Sequence, residues 1–410
     1  MSKRNYYFFI VLITLMSSVS VFATDIYLPA LPDMAVYFNC SQTEIQMSFT
    51  VFLVGLASAQ LIVGILSDRF GRRKIVFGGF ALFTIASVLC AYADTLSHFI
   101  LFRILQAVGG GVGSVTSRAL VADRYNREES VKVFSTIFPI IGLSGAMGPF
   151  VGGYLTYFWG WQSTFLFIAG FGLVILLCAV FNLKNKDSKR AVDIEQHSPK
   201  ILGFQKVQGY LDVLFNLEFL GYAFIVCAGF CVFRSYSVES PFVFNGQGYS
   251  AEEMGHFYIA LSLAYIVGNL SAKKLIAKMT VEKVLRIGFL LFVLGGACMV
   301  GGAAIFIGNP YALIIPMSVV TLGNGFLFPV ASASAMTAVR SEFAGTASGL
   351  MGAIQCLTAA FCSHWIGKFC QGEAVFMSLF IGALVLLGLC SFLLLIVYKP
   401  RAQVTATEDV

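Results

Sequence analysis

The sequence predicts an all-α membrane protein whose twelve transmembrane helices form two six-helix halves. Of its 410 residues, 58% are hydrophobic and 12% are charged, whereas a soluble domain carries about 25% charged residues. The apolar residues fall in runs of the length that a membrane-spanning helix needs, about 20 residues. The longest polar stretch, residues 184–213, follows the sixth run. This composition excludes an ordinary soluble enzyme, and also a disordered chain, which requires low hydrophobicity and high charge.

Twelve apolar segments define the predicted spans. They cover residues 7–35, 47–67, 74–93, 97–119, 132–157, 161–182, 218–243, 253–273, 283–307, 311–335, 346–368 and 374–397. The predicted organisation is a first six-helix half (1–183), a cytoplasmic linker (184–213), a second half (214–398) and a cytoplasmic tail (399–410). A six-plus-six arrangement favours inverted repeats and a substrate site near the middle of the membrane, in a central cavity.

The distribution of lysine and arginine predicts the orientation of the chain. Loops on one side carry nearly all the basic residues, from Lys3 to Arg401, and the positive-inside rule places that side in the cytoplasm. Both termini and the linker are then cytoplasmic, which requires an even number of spans. The N-terminal run mimics a signal peptide that ends near Ala23, but cleavage there would leave eleven spans and break the alternation of charge.

The net charge of +6 is explained by those basic loops, since no basic run is interleaved with aromatic residues as nucleic-acid binding would require. The ten cysteines lack zinc-site spacing and mostly fall inside apolar segments, where a thiol behaves as a small hydrophobic group. The chain also lacks a Gly-x-x-x-x-Gly-Lys-Ser/Thr string for nucleotide binding. We therefore expect no cofactor, no metal, no nucleic-acid partner and no ATP-driven pump.

The loop after the second predicted span reads Gly-Ile-Leu-Ser-Asp-Arg-Phe-Gly-Arg-Arg-Lys over residues 64–74. It is a tight glycine turn between two helices, and a positive-inside loop alone would not require its glycines and its acid at this spacing. The string resembles the hallmark loop of the major facilitator superfamily, which implies that superfamily's fold. The resemblance also implies a cytoplasmic charge cluster that controls conformational switching. Its residues here are Gly64, Asp68, Arg69, Gly71, Arg72 and, at the end of the fourth span, Asp123.

The fifth span contains a Gly-Pro-x-x-Gly-Gly string formed by Gly148, Pro149, Gly152 and Gly153. Glycines four residues apart make a flat helix face for close packing, and a proline removes one backbone hydrogen bond. The alternative interpretation is a generic packing face between helices, which would require the glycines but not the proline. The full string, in the fifth of twelve spans, is similar to the antiporter signature of the superfamily's exporters, although Ser144 stands where that pattern usually has glycine. The resemblance implies transport out of the cell.

Two charged residues lie inside apolar spans of the first half. Asp25 is the only carboxylate within the first span, close to Pro29 and Pro32, which should bend or loosen that helix. Arg103 lies in the fourth span. Charged residues inside the membrane are costly and mark functional sites, and a buried carboxylate beside an arginine can take up and release a proton. The alternatives are an acid at the outer interface and an arginine that snorkels to the membrane surface.

The residues around this pair also resemble one branch of the superfamily. Arg103 and Gln106 match an Arg-x-x-Gln-Gly string that is tied to proton transfer in drug:proton antiporters, with Ala107 in place of the glycine. The string Thr-Asp-Ile-Tyr-Leu-Pro-Ala-Leu-Pro, which begins at Thr24, looks like the opening of the bicyclomycin/chloramphenicol-resistance branch. The resemblance implies multidrug efflux with proton coupling through Asp25 and Arg103.

Polar and aromatic residues inside other spans are candidates for substrate binding. They are Tyr27, Arg234, Tyr236, Glu239 and Asn324. Arg234 indicates either an anionic or zwitterionic cargo or a structural pair with Asp25 or Glu239. Because Glu239 is five residues from Arg234, the two do not share a helix face. Asn324 is equally suited to a hydrogen bond between helices.

These features predict a proton-coupled secondary transporter of the bacterial inner membrane that exports hydrophobic small molecules by alternating access. Its partners would be substrate, protons and the lipid bilayer, and the resemblance implies a monomer. The alternative cargo is a siderophore, an acidic metabolite or an amino-acid derivative. A third class, a membrane enzyme or a non-transporting receptor, predicts indifference to mutation of Asp68 or Gly148. Twelve spans with this motif set are instead typical of transporters.

Overall fold

The computed structural model describes residues 3–125, 127–182, 212–339 and 344–408, which are almost entirely helical. A 3₁₀ turn at Leu28–Ala30 joins the first two helices, so that α1 and α2 together make the first span. The helices are α1 (Lys3–Asp25), α2 (Leu31–Tyr37), α3 (Gln42–Phe70), α4 (Arg72–Ala91), α5 (Leu96–Arg124), α6 (Arg127–Trp159), α7 (Gln162–Asn182), α8 (Leu217–Gly246), α9 (Ala251–Ile276), α10 (Val281–Ile305), α11 (Tyr311–Thr337), α12 (Ala344–Cys370) and α13 (Ala374–Glu408).

The predicted spans coincide with these helices one by one. Eleven stretches of the described residues are long and apolar enough to cross a membrane, by length and composition. The remaining predicted span corresponds to α6, a helix of 33 residues. The prediction of an all-α membrane protein is therefore confirmed. Most of the predicted linker lies outside the described residues, and the cytoplasmic placement of the termini stays a prediction.

The first span is interrupted where its two prolines predict a break. Helix α1 ends at Asp25, and the Ile26 amide still donates a hydrogen bond of 2.9 Å to the Phe22 carbonyl. Pro29 lies in the 3₁₀ turn, and Pro32 lies in the first turn of α2. Because proline has no amide hydrogen, it fits these first-turn positions and cannot continue an α-helix through them. Asp25 is thereby placed at a helix end in the middle of the first span.

Short turns with defined caps connect the helices. Ser41 caps α3 in a reciprocal arrangement with Glu44, in which each side chain accepts a hydrogen bond from the other residue's amide. Ser250 and Glu253 repeat that arrangement at the start of α9. Between α3 and α4, Gly71 has φ of 90°, a conformation that glycine adopts without steric cost. These caps explain why the helices begin close to the predicted boundaries.

The chain divides into two compact units. Within the described residues, the first unit comprises 3–182 together with Phe244–Ile259, and the second comprises 212–243 and the residues from Ala260 onward. The segment Phe244–Ile259, here called the α8–α9 hairpin, therefore belongs to the first unit. The predicted boundary instead assigned all of residues 214–398 to the second half. The reason for the difference is the close packing of this hairpin on α6, described below.

The same glycine contacts recur in the two units. In the fourth span, Gly109 of α5 lies against the backbone of α4, and Gly111 lies against α3. In the tenth span, Gly323 of α11 lies against the backbone of α10, and Gly325 lies against α9. Small residues allow helix backbones to approach closely in membranes. The recurrence of these contacts six spans apart agrees with an internally repeated fold.

Candidate functional site

Arg103 of α5 is fully buried, with 0% of its surface exposed. Its guanidinium carbon lies 4.0 Å from the ring centre of Phe52, 4.4 Å from that of Tyr27 and 5.7 Å from that of Phe165. These three rings are called the aromatic cage. A desolvated cation–π contact contributes about 2 kcal/mol or more. The arginine is therefore held inside the first unit and does not snorkel to its surface.

The hydrogen bonds of Arg103 connect further helices to this cage. Its Nη1 donates to the Ala23 carbonyl of α1 at 3.1 Å and to Gln106 Oε1 at 2.5 Å. The Gln106 amide in turn donates to Ser87 Oγ of α4 at 2.7 Å. Among the described residues, Nε and Nη2 of Arg103 have no hydrogen-bond partner. On that side the aromatic rings, rather than hydrogen bonds, stabilise the positive charge. Sequence reasoning missed Ser87, whose only signal is a hydroxyl within an apolar run.

Tyr27, predicted to bind substrate, is a wall of the aromatic cage. Its side chain is fully buried, and its ring centre lies 5.5 Å from that of Phe165 on α7. Its hydroxyl lies 3.3 Å from Ser48 Oγ on α3. The ring and the hydroxyl are thus both engaged inside the first unit, and Tyr27 follows Asp25 by only two residues. In this structure Tyr27 helps to hold the break in the first span.

We expect Arg103→Lys to destabilise the protein although it keeps the positive charge. An ammonium group cannot present a flat face to three rings or donate from the same fork, and the lost cation–π contact alone is worth on the order of 2 kcal/mol. The measurement is the thermal unfolding midpoint in detergent. Arg118→Lys is the matched control, because Arg118 is an exposed residue on the same helix. Equal midpoints for the two variants would contradict the role assigned to the cage.

Asp25 is buried, with 1% of its surface exposed, at the last position of α1. Two glycines of α6 face it. A Cβ added at Gly148 would lie 3.0 Å from the Asp25 Cβ, and one added at Gly145 would lie 3.7 Å from Oδ2. The connection that the structure shows to Arg103 runs through the Ala23 carbonyl, two residues earlier. Asp25 is therefore enclosed rather than located at an exposed outer interface.

The glycines of the predicted antiporter string place α6 against two different neighbours. A Cβ at Gly152 would overlap the Ile26 carbonyl group, whose carbon would be only 2.6 Å away. On another face, a Cβ at Gly153 would overlap the Ala251 carbonyl of the α8–α9 hairpin. A Cβ at Gly255 of that hairpin would lie 3.0 Å from the Pro149 carbonyl oxygen. Helix α6 therefore packs against both the break in the first span and the hairpin.

A polar contact reinforces the packing of the α8–α9 hairpin on α6. The Tyr154 hydroxyl lies 3.2 Å from His256 Nε2, and the ring of Phe150 lies 5.5 Å from that of His256. The other ring nitrogen, Nδ1, lies 2.9 Å from the Glu252 carbonyl oxygen. Because a carbonyl can only accept, Nδ1 must carry hydrogen, and in the neutral ring Nε2 accepts from the tyrosine. His256 is thus satisfied on both sides.

Part of the predicted cytoplasmic charge cluster is present at the junction of α3 and α4. Arg72 Nε lies 3.1 Å from Asp123 Oδ2 at the end of α5. Arg72 Nη1 also donates to Ser67 Oγ at 2.5 Å, and the Gly71 amide donates to the Ser67 carbonyl at 3.1 Å. The glycine turn thereby directs Arg72 toward both partners. Ser67 is a member of this cluster that sequence reasoning did not single out.

The other predicted members of the charge cluster differ in their surroundings. The Arg69 side chain is exposed, and its guanidinium carbon lies 5.5 Å from the ring centre of Phe70. A Cβ at Gly64 would make only an ordinary contact, at 3.9 Å. The side chain of Asp68 lies outside the described part of the chain. The switching role of these residues stays a prediction.

Arg234, on α8 in the second unit, is a buried cation with 6% exposure. Its guanidinium carbon lies 5.0 Å from the ring centre of Phe230 and 5.7 Å from that of Phe233. Tyr236, two residues further on, is also buried. A buried arginine with aromatic neighbours can recognise an anion, because its planar group presents paired donors. The contact of both residues with substrate stays a prediction.

Two other predicted substrate-binding residues form hydrogen bonds with backbone groups of the second unit. Glu239 Oε1 accepts a bond of 2.8 Å from the Gly372 amide, in the turn between α12 and α13. Asn324 Nδ2 on α11 donates to the Gly229 carbonyl of α8 at 3.3 Å. The Glu239 contact joins a helix to a turn, and the Asn324 contact joins two helices, which agrees with the alternative interpretation of Asn324. Their predicted role toward substrate stays untested.

We expect Glu239→Gln to retain transport and Glu239→Ala to reduce it. The amide oxygen of glutamine can still accept from the Gly372 amide, whereas alanine removes the acceptor of this half-buried hydrogen bond, at a cost of about 1 kcal/mol. The measurement is the initial rate of cargo transport together with the thermal unfolding midpoint. If both variants lose transport and Glu239→Gln unfolds at the wild-type temperature, the charge of Glu239 is required instead.

Comparisons with known proteins agree with this architecture. The model of the Major Facilitator Superfamily matches residues 13–363. A solved structure of a D-xylose–proton symporter superimposes with a TM-score of 0.75 at 17% identity, covering 95% of this chain and 97% of that one. The xylose transporter XylE from E. coli, in a partially occluded inward-open conformation, gives 0.72 at 16% identity, covering 96% and 97%. At these identities the likeness concerns the fold alone.

Relatives by sequence include proteins named for drug resistance. A "Bicyclomycin resistance protein homolog" of Haemophilus influenzae is 24% identical over 397 residues, covering 95% of this chain and 96% of that protein. A "Multidrug resistance protein MdtL" of Vibrio parahaemolyticus is 26% identical over 394 residues, covering 95% of each. The prediction that the chain is a transporter rather than an enzyme is confirmed. Because the family model spans most of its length, the chain belongs to the major facilitator superfamily.

Proposed function

We propose that this transporter exports hydrophobic small molecules from a bacterial cell across the inner membrane in exchange for protons. Support for the cargo class comes from the relatives named for bicyclomycin and multidrug resistance. Support for the coupling comes from the first unit, where an acid and an arginine are enclosed in an apolar bundle. Charged residues in such surroundings are functional by default.

The observation that carries the proposal is the position of Asp25. It occupies the end of α1 beside a proline-broken turn, and the glycine face of α6 contacts it through Gly148. A broken helix has fewer backbone hydrogen bonds to lose when it moves. A carboxyl group at such a break can therefore exchange its proton as the surrounding helices rearrange, because its charge state follows its solvation.

Arg103 has a positioning role in this scheme. Its guanidinium bonds the Ala23 carbonyl and stacks on Tyr27, so it holds the chain on both sides of Asp25. Proton uptake from outside would neutralise Asp25, and its release inside would restore the charge. Alternating access would link these two steps to outward movement of cargo.

The test uses proteoliposomes with an imposed pH gradient and a proton-sensitive dye. Lipophilic cations, phenicols, acidic metabolites and siderophores are added one class at a time. We expect lipophilic drugs to trigger proton efflux from acidic vesicles that contain the protein, and to leave empty vesicles unaffected. Cargo uptake that proceeds without any proton movement would show a facilitator, and movement of both in the same direction would show symport.

A second candidate function is the export of an anionic or zwitterionic molecule. The specific observation that favours it is the buried cation Arg234 with its aromatic neighbours. Under this alternative, Arg234→Lys would retain part of the transport of acidic cargo, and Arg234→Ala would lose it while uncharged drugs are still exported. Equal loss of every cargo class in Arg234→Ala would indicate a structural role instead.

A further inference from the structure

Ser87, a fully buried residue of α4, lies opposite Gln106 of α5 because these two helices are in close contact. A Cβ added at Gly109 of α5 would lie only 2.7 Å from the Phe83 amide nitrogen of α4. One helical turn away from this point on each helix, Gln106 Nε2 donates a hydrogen bond of 2.7 Å to Ser87 Oγ. Both side chains have 0% exposure. Close packing alone requires only a small residue at position 87, so the hydroxyl is an additional feature.

The hydrogen of the Ser87 hydroxyl is already used within α4. Ser87 Oγ donates to the Phe83 carbonyl oxygen at 2.6 Å, so toward Gln106 it acts as an acceptor. Gln106 therefore presents its NH2 group to Ser87, which turns its Oε1 toward Arg103. Because arginine has donors but no acceptor, this is the orientation of the amide that satisfies both neighbours. A rotated amide would place its NH2 group against the guanidinium.

These contacts form one directed chain of hydrogen bonds from α1 to α4. Arg103 donates to Gln106, and Gln106 donates to Ser87. The same Nη1 of Arg103 also donates to the Ala23 carbonyl of α1. Nη1 carries two hydrogens, so one is directed to α1 and the other toward α4. A carboxamide does not exchange protons at neutral pH, so this chain fixes the position of the guanidinium and is not a path for protons.

We propose that Ser87 is a positioning residue for transport, which fixes the Gln106 amide and through it the Arg103 guanidinium. This role rests on the proposed function, in which the chain around Asp25 keeps its place while the acid gains and loses a proton. In Ser87→Ala the Gln106 amide loses its acceptor and can rotate, so the guanidinium is no longer held between α1 and α4. The transport cycle is then slowed without loss of cargo binding.

The test measures transport by Ser87→Ala in proteoliposomes of the full-length protein, per folded transporter. The probes are radiolabelled tetraphenylphosphonium, a lipophilic cation, and chloramphenicol, a phenicol. We expect the maximal rate to fall about fivefold, the factor that corresponds to one ordinary hydrogen bond, while KM keeps the wild-type value. A residue that only stabilises the fold would lower the unfolding midpoint and leave the rate per folded transporter unchanged.

The matched control is Thr116→Val. Thr116 is fully buried on α5, and its hydroxyl donates to the Val112 carbonyl of its own helix. Valine removes that hydroxyl and keeps the shape, so the maximal rate should stay at the wild-type value. If Ser87→Ala also transports at the wild-type rate, the positioning role is overturned while the proposed function stands. A wild-type protein that moves neither probe would overturn both.

A double variant shows whether Ser87 acts through Gln106. In a Gln106→Leu background the amide is absent, so Ser87→Ala should not lower the maximal rate further. A second fivefold loss in that background would overturn the proposal. If Ser87→Ala does not fold, Ser87→Cys replaces it, because a thiol fills the site but accepts only weakly. Its maximal rate should also fall with KM unchanged, and a wild-type rate would contradict the role of the hydroxyl.

Discussion

Asp25→Asn is expected to abolish cargo-driven proton flux while cargo exchange without a gradient continues. Asparagine has nearly the same shape as aspartic acid and fits the site beside Gly148, but it cannot bind and release a proton. The neutral amide resembles the protonated acid, so the variant should fold and bind cargo. The measurement is dye-detected proton flux and radiolabelled cargo exchange in the same proteoliposomes, where flux should fall to the level of empty vesicles.

The matched control is Asp33→Asn. Asp33 is an exposed acid on α2, in the same span and eight residues further along. Its replacement should leave both flux and exchange at wild-type rates. Undiminished proton flux in Asp25→Asn would exclude this carboxyl group as the carrier. Loss of exchange together with flux would show that Asp25 acts in cargo binding or in folding.

Gly152→Ala is expected to lower stability and transport, although alanine is the better helix former. The added Cβ would overlap the Ile26 carbonyl group, which is backbone and cannot rotate away. Overpacking of this kind costs about 1–3 kcal/mol and occasionally more, which outweighs a gain in helix propensity of about 1 kcal/mol. The separation of α6 from α1 should also disturb the surroundings of Asp25. The measurements are the thermal unfolding midpoint in detergent and the initial rate of transport.

Gly170→Ala provides the control for this substitution. Gly170 lies within α7 of the same unit, and a Cβ there would have no neighbour within 4 Å. We expect this variant to keep transport and to unfold at the same or a higher temperature. Equal midpoints for Gly152→Ala and Gly170→Ala would mean that α1 and α6 separate at little cost.

The fold was predictable from the sequence because span length, apolar composition and loop charge are local properties. The twelve segments correspond to helices, and the prolines at positions 29 and 32 interrupt the first span as expected. Glycines of α6 were also recognisable as a packing face. The residues against which these glycines pack were not predictable, because a glycine indicates close packing but does not identify the partner. That Gly152 faces Ile26 and Gly153 faces Ala251 depends on tertiary structure.

The candidate functional site, like the fold, was predictable only in part. Arg103 was identifiable as a costly intramembrane charge, and Gln106 stood within the quoted string. The aromatic cage was not identifiable, because two of its rings, Phe52 and Phe165, come from other helices of a chain with 40 phenylalanines. Likewise, the backbone partner of Glu239 lies in a turn more than a hundred residues away. Contacts between distant helices carry no signal in a single sequence.

The assignment of the α8–α9 hairpin to the first unit has a consequence for biosynthesis. The ribosome makes the chain from the N-terminus, and domains ordinarily fold as they emerge. Here the first unit remains incomplete after its own last long helix, α7, has been made, because Phe244–Ile259 follows only after the linker and α8. Until then, the surface of α6 around Gly153 lacks the segment that covers it. A nascent chain that stalls in the linker would therefore expose this surface to the insertion machinery and to membrane proteases.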